Sequence, residues 1–310
     1  MMNGVVALIG LGAIGAPIAH KLYKSYKNSF VLVASGERKR ELLDGSIYIN
    51  EEMFNPTVIS NRSEISEEIK LLLVCVKNYS LESALKDIQN VVTDETIILP
   101  LQNGISSYEF FCDKFPNNTI LHGYVQGPNT QVNGKSIYYT NPGEMHIGDS
   151  VSSVLNDVAD VYSYLRMAGI GVHLEQDIQK MVWKKWMLNV AGNSVTALTN
   201  ADYCDFKEKI SLQRICKQAM MEFVLVAIKE GVLLDEDDIE DVINYYTNYV
   251  GRKSTSMLED MRWHRKTENK YLAGKVIEIA DKHGLEVPTI RTLYYLVDIK
   301  ESLYLAHEEG

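Results

Sequence analysis

The spacing of apolar and polar positions changes its rhythm once along the chain. Through the first half, short apolar runs alternate with amphipathic stretches. Residues 5–9, 29–34, 71–76 and 96–101 are apolar runs of strand length, and residues 16–26, 37–43 and 81–91 carry helical periodicity. Strand, helix, strand in this order predicts parallel βαβ units covered by helices on both faces. Tyr138-Tyr139 and Met145-His146-Ile147, separated by Asn141-Pro142-Gly143, predict an antiparallel hairpin closing this half. Near Gly171-Val172-His173 the character shifts. From Gln176 onward the periodicity is helical, broken at Asn200-Ala201-Asp202, Glu230-Gly231 and His283-Gly284, with Pro288 as the one proline. The expected fold is therefore α/β: a doubly wound parallel sheet over residues 1–174, then an all-helical domain over residues 175–310.

Composition adds limits. The 310 residues are 46% hydrophobic and 23% charged, which suits a globular protein with room for a sizeable core. A formal net charge of -10 provides no general attraction for nucleic acid or anionic lipid, so neither is an expected partner. Cys75, Cys112, Cys204 and Cys216 are widely spaced and form no metal-binding pattern; they read as reduced thiols, and no metal site is expected. No apolar run approaches the ~20 residues that span a bilayer. The first residues, Met1-Met2-Asn3-Gly4, lack the charged segment of a signal peptide. These features predict a cytoplasmic protein.

The first chemical motif is Gly10-Leu11-Gly12-Ala13-Ile14-Gly15, directly after the first strand and opening the first helix. In that context the pattern is a dinucleotide-binding loop of the Rossmann type. Gly10 allows the tight turn, Gly12 lets backbone approach a pyrophosphate, and Gly15 lets helix and strand pack closely. A tight strand-to-helix turn without ligand is the plainer alternative. The second strand ends Val33-Ala34-Ser35-Gly36-Glu37-Arg38-Lys39-Arg40, without an acidic residue at its immediate end. Ser35 as donor, with Arg38 or Lys39 as cation, suits a 2′-phosphate, so NADP (NADPH) is the favoured cofactor and NAD stays open. Glu37 would oppose the phosphate if it pointed inward, and residues 37–40 equally suit a solvated first helical turn.

The second motif lies on an apolar helix, Trp183-Lys184-Lys185-Trp186-Met187-Leu188-Asn189-Val190-Ala191-Gly192-Asn193. Lys185, Asn189 and Asn193 follow at i, i+4 and i+8, which predicts a polar stripe along one face. Polar groups on a buried helix need partners, and a polar substrate would supply them. An ammonium stabilises charge growing on a carbonyl oxygen under hydride attack and then donates a proton. The alternative places Lys185 in solvent beside Lys184, with the asparagines bonding nearby loops. A second polar helix is expected from Thr255 to Gly274, with Ser256 as a candidate N-cap and Glu268 about 18 Å further along it.

Taken in order, these motifs resemble the ketopantoate reductase (2-dehydropantoate 2-reductase) family over nearly the whole chain. The matching residues are Gly10-x-Gly12-x-x-Gly15, Val76-Lys77, Gln102-Asn103-Gly104, Trp183-Lys184-Lys185-x-x-x-Asn189-x-x-x-Asn193, Ser256-Met257-Leu258-Glu259-Asp260, Lys266-Thr267-Glu268 and His283-Gly284-x-x-x-Pro288. The resemblance implies a Rossmann domain, a helical domain and a cleft between them. It implies Lys185 as proton donor to the keto oxygen, with Asn189, Asn193 and Ser256 holding the substrate. It implies Lys77 and Asn103 at the cofactor, Asn103 also near the substrate, and Glu268 touching the cofactor or orienting the reacting groups. The implied reaction is reduction of 2-dehydropantoate by NADPH to pantoate, for pantothenate and coenzyme A synthesis.

Three positions depart from the family pattern. Ser35 stands where the family often has Arg, Lys253 where it often has a substrate-binding Asn, and Tyr203 where a further Asn is common. A relative acting on another small 2-oxo acid fits this pattern nearly as well. A non-catalytic NADP-binding sensor and a β-hydroxyacid dehydrogenase are the other readings. The retained Lys185 and Glu268 disfavour the sensor, and the Trp-Lys-Lys and Ser-Met-Leu-Glu-Asp motifs disfavour the dehydrogenase. A small 2-oxo acid is the expected partner. Stretches of the helical half are compatible with a homodimer interface, although no feature separates them from core.

Overall fold

The computed structural model describes residues 4–149 and 155–308. The chain divides into two units, one formed by Met1–Gln102 with Ser107–Gln179, the other by Asn103–Ser106 with Lys180–Gly310.

The first unit opens with β1 (Val5–Ile9), α1 (Gly15–Tyr26), β2 (Phe30–Val33) and α2 (Gly36–Leu43). Three short strands follow: β3 (Ile47–Ile49), β4 (Glu52–Phe54) and β5 (Thr57–Ile59). Then come β6 (Ile69–Val74), α3 (Leu81–Gln89), β7 (Ile97–Pro100) and α4 (Ser106–Lys114, whose first residue is counted with the second unit). The unit continues with β8 (His122–Gln126), β9 (Asn129–Asn133), β10 (Ser136–Asn141), β11 (Glu144–Gly148), α5 (Leu155–Met167) and β12 (Val172–Leu174). Among the described residues, β5-β2-β1-β6-β7 form a parallel five-stranded sheet.

The expected doubly wound sheet is thus present, and alternation along its strands explains the continuous apolar runs. Val6, Leu8, Leu32, Leu71 and Leu73 enter one core with α1 and α5 residues such as Ile18, Leu22, Val161 and Leu165. Val5, Ala7, Ile9, Leu72 and Val74 enter the other with Leu81, Ile88, Phe111 and Phe115 from α3 and α4 and the residue that follows it. A strand buried on both faces has no solvent side on which to place polar residues.

The expected hairpin at Asn141-Pro142-Gly143 does not form. β10 pairs with β9 and β3, whereas β11 pairs with β8 and β12, so the turn hands the chain from one sheet to another. Gly143 makes the handover possible. Its φ is +82°, and a Cβ there would meet Val125 Cγ1 at 2.7 Å. The β3–β4 hairpin turns through Asn50 and Glu51, both at positive φ, and Asn50 bonds both the N–H and the carbonyl of Tyr139.

The second unit contains α6 (Ile178–Leu188, whose first two residues are counted with the first unit), α7 (Ser194–Thr199), α8 (Ile210–Lys229), α9 (Glu236–Thr247), α10 (Ser256–Arg262), α11 (Ala273–Lys282) and α12 (Pro288–Glu308). It is helical as expected. Its centre is α8, which buries Cys216, Met220, Phe223 and Val226. Buried Glu222 on the same helix accepts from the N–H groups of Thr289 and Ile290, each at 3.0 Å, and so caps the N-terminus of α12.

Two expectations about this unit are corrected. The helix carrying Lys185 does not run unbroken to Asn193, because Asn189–Asn193 form a π turn between α6 and α7. The polar stretch from Thr255 to Gly274 is not one helix either. It stops at Arg262, His264 adopts φ +50°, and α11 begins only at Ala273. A rise of 1.5 Å per residue therefore does not describe the path from Ser256 to Glu268.

Candidate active site

In the first unit the glycine loop joins β1 to α1. Gly10 has φ +100°, and a Cβ there would lie 2.5 Å from the backbone nitrogen of Val76, so the loop rests on the chain leaving β6. At Gly15 a Cβ would collide with the Gly10 carbonyl, which enforces close packing of helix against loop. Gly12 differs: apart from its chain neighbours, no described residue lies within 4 Å of where its Cβ would be. Two glycines therefore serve the fold, and the third leaves open space beside backbone. The first turn of α1 carries no acidic residue and no side-chain cap; Pro17 has no N–H and the Ala16 N–H is taken by the Gly12 carbonyl, so the positive dipole end is what this turn offers an anion. These features fit a dinucleotide's pyrophosphate. Leu11 is buried, Ile14 packs on the core, and Ala13 is exposed.

At the end of β2, Ser35 is half-buried in extended backbone just before α2 and makes no cap bond. Arg38 is exposed and pairs with Glu41 at 2.9 Å, a surface pair worth about 0.5 kcal/mol and easily exchanged. Lys39, an expected alternative cation, is committed to Glu64 at 2.5 Å and to Ser60. Lys39 and the Ser60 N–H and hydroxyl together hold the Glu64 carboxyl at about 2. Glu37 is exposed in the first turn of α2. Lys77 is half-buried in extended backbone just after β6.

In the second unit, α6 presents two adjacent lysines in unlike surroundings. Lys184 pairs with Asp238 at 3.0 Å and Asp241 at 2.6 Å, and Lys180 joins the same cluster at 2.8 Å from Asp238. Lys185 is half-buried and, among the described residues, has no carboxylate within ion-pair distance. Burial, and secondarily the charge of Lys253, lower its ammonium to about 8. This is not the solvated lysine of the plainer alternative. The adjacent tryptophans anchor the helix: Trp183 and Trp186 pack edge-on against Phe223, and Trp186 Nε1 donates to the Leu272 carbonyl at 3.2 Å.

The expected polar residues gather here in part. Asn189 Nδ2 donates to Asn103 Oδ1 at 3.1 Å, and Asn103 Nδ2 donates to Glu268 Oε2 at 3.4 Å, so three candidate residues form one chain of hydrogen bonds. Glu268 is buried. Asn193 is 2% exposed, and among the described residues its Nδ2 has no partner; neither has the buried Ser194 hydroxyl next to it. Leaving such a group unpaired costs about 1–3 kcal/mol, which marks a place where a ligand would supply the missing acceptor.

The π turn that carries Asn189 and Asn193 has an identifiable cause. The Tyr246 hydroxyl donates to the Leu188 carbonyl at 2.9 Å, where an α-helix would place the Gly192 N–H. Gly192 is required, because a Cβ there would collide with the Tyr246 ring and hydroxyl. The role of Tyr246 carries no sequence signal, but an isolated glycine within a helical pattern is the trace it leaves.

Ser256 is exposed as the first residue of α10, and it is not the N-cap. Thr255 is: its hydroxyl accepts from Leu258 N at 3.3 Å and bonds the Thr196 hydroxyl at 2.7 Å. Lys253, just upstream, has its carbonyl held by Tyr203 N–H at 2.9 Å.

The chain matches two family models, "Ketopantoate reductase PanE/ApbA" over residues 6–152 and "Ketopantoate reductase PanE/ApbA C terminal" over residues 177–301. It is 29% identical to a 2-dehydropantoate 2-reductase of Halobacterium salinarum, over 79% of this chain and 80% of that one. Two solved structures share its fold. One is D-mandelate dehydrogenase with NADH and anilino(oxo)acetate, at TM-score 0.83, 21% identity and 96% and 99% coverage. The other is a dimeric ketopantoate reductase from Staphylococcus aureus, at TM-score 0.79, 20% identity and 97% and 99% coverage. With both family models matched in order across most of its length, the chain belongs to the ketopantoate reductase family.

Proposed function

We propose that this protein is an NADPH-dependent reductase of a small 2-oxo acid, with 2-dehydropantoate as first candidate and pantoate, a precursor for pantothenate and coenzyme A, as product. The observation that carries the reading is Lys185: a half-buried ammonium with no carboxylate within ion-pair distance among the described residues, lowered to about 8. It is still protonated at neutral pH but is a stronger acid than an ordinary lysine, as a proton donor to an alkoxide should be.

A bound reduced nicotinamide supplies the hydride. Lys185 donates a hydrogen bond to the keto oxygen, stabilises the charge that grows there, and transfers its proton to give the 2-hydroxy acid. Asn189, Asn193 and Ser256 hold the substrate's polar groups, with the unpaired Asn193 amide offering a donor. Asn103 sits between Asn189 and Glu268 and fixes both, while touching cofactor and substrate. The Gly10–Gly15 loop holds the pyrophosphate, Lys77 and Glu268 contact the cofactor, and Ser35 with Arg38 reads the ribose 2′-phosphate. NAD is the alternative cofactor, since a structural neighbour carries NADH. A homodimer is the proposed assembly, as in the Staphylococcus aureus relative.

A second reading, reduction of a different 2-oxo acid, is favoured by Lys253 and Tyr203, whose backbones bond each other in this unit. The deciding experiment measures NADPH oxidation against a panel of 2-oxo acids that includes 2-dehydropantoate. Consumption with one of them supports the reading. Tight NADPH binding without consumption by any member would leave a nucleotide sensor instead.

A further inference from the structure

Lys253 lies in the segment joining α9 to α10, and that segment is tied down on three sides. Its carbonyl accepts from Tyr203 N–H at 2.9 Å, Ser254 Oγ donates to Asp202 Oδ1 at 2.8 Å, and Thr255 bonds Thr196 at 2.7 Å. The side chain is half-buried and crosses the face of Tyr249, with Nζ 5.8 Å from the ring centroid. The charge therefore has a defined position instead of sweeping through solvent.

The Thr255–Thr196 bond sets this segment against the Asn189–Asn193 turn, because the Thr196 hydroxyl also bonds the Gly192 and Asn193 carbonyls of that turn, which continues the helix carrying Lys185. From there the Lys253 charge acts on Lys185. Among the described residues neither has a carboxylate within ion-pair distance. The acid on the facing turn, Asp202, is occupied by Ser254 and by Arg262 at 3.5 Å. Two half-buried like charges destabilise one another unless an anion joins them. The unpaired Nδ2 of buried Asn193, on the turn that follows Lys185, is a further donor lacking an acceptor. An excess of donors over acceptors identifies the missing component as an anion with several acceptor atoms.

We propose that the Lys253 ammonium binds the carboxylate of the 2-oxo acid, so that this residue makes the protein select anionic substrates over neutral carbonyl compounds. The proposal rests on the reductase reading and deepens it. In a 2-oxo acid the keto oxygen and the carboxylate are on adjacent carbons. One lysine then serves the oxygen that is reduced and the other the group that is not.

The test uses oxamate, which places a carboxylate beside a carbonyl that is not reduced, and its neutral diamide, oxamide. Binding of each to the full-length protein is measured by calorimetry with and without NADPH. Wild type should prefer oxamate. Lys253→Met should weaken oxamate about 30-fold, equivalent to ~2 kcal/mol, and leave oxamide unchanged. Lys253→Arg should recover most of the loss. Equal oxamate affinity in wild type and Lys253→Met overturns the proposal, as does a wild type that binds oxamate no better than oxamide; the latter comparison needs no variant to fold. Lys253-dependent oxamate binding without turnover of any 2-oxo acid would sink the reductase reading and leave this inference standing. Turnover with an unchanged KM and unchanged oxamate affinity in Lys253→Met would do the reverse.

Discussion

Lys184 and Lys185 are consecutive residues of one helix, yet Lys184 is neutralised by Asp238 and Asp241 while Lys185 has no carboxylate partner among the described residues. The contrast separates their expected roles. Lys184→Ala should lower stability by about 1 kcal/mol or less, because Lys180 still serves Asp238, and should leave turnover near wild type. Lys185→Ala should lower kcat by roughly 10²–10⁴-fold with little change in cofactor affinity. Steady-state kinetics beside cofactor titrations checks both, and unaltered turnover in Lys185→Ala would remove it as the acid.

The lowered Lys185 ammonium fixes a pH dependence. The donor must be protonated, so kcat/KM for reduction should fall as pH rises through about 8. Because the Lys253 charge contributes to that lowering, the limb should move to higher pH in Lys253→Met.

The same shift has a stability consequence of opposite sign. The folded value, about 8, lies below the ordinary 10.5, so the native state is penalised wherever Lys185 is protonated. Below pH 8 the full penalty is present; it is relieved as pH rises from 8 towards 10.5. At pH 7, Lys185→Met should therefore resist urea better than wild type, while Lys184→Met should not. A lower midpoint for Lys185→Met would contradict the buried-charge account.

The three loop glycines should fail in different ways. Gly15→Ala places a methyl against the Gly10 carbonyl and should destabilise the fold itself, read as a lower thermal midpoint without ligand. Gly12→Val meets open space in the protein, so the midpoint should hold while NADPH affinity falls. Normal NADPH affinity in Gly12→Val would refute the loop assignment.

Cofactor choice is tested at Arg38. Its ion pair with Glu41 is exposed, so Arg38→Ala should cost negligible stability. It should weaken NADPH by about tenfold and leave NADH unchanged, as expected for one charge-assisted contact to phosphate. Equal effects on both nucleotides would mean that the 2′-phosphate is read elsewhere.

Legibility in the sequence followed the physics of each element. Four of the five strands of the parallel sheet were legible because burial on both faces forces uninterrupted apolar runs, as in Val5–Ile9. The strands Ile47–Ile49, Glu52–Phe54 and Thr57–Ile59 were not, since three residues are too few to establish a period. At the candidate site, the polar spacing singled out Lys185, Asn189 and Asn193, but spacing assumes one helical geometry and the π turn violates it. The unequal surroundings of Lys184 and Lys185 were invisible because the deciding carboxylates lie on a distant helix. Ser256 and Thr255 are equally good caps by residue type, and only the backbone distinguishes which one is extended.

The turn at Asn189–Asn193 holds more chain than an α-helix of the same rise would, and Tyr246 keeps the surplus in place. Shortening the protein by one residue there would let the helix close into a regular ladder. Winding the full-length segment as a regular α-helix instead would carry everything beyond it about 100° further round the axis relative to Lys185, the angle of one helical step. The widened turn, more than residue identity, therefore sets which way Asn193 faces relative to Lys185.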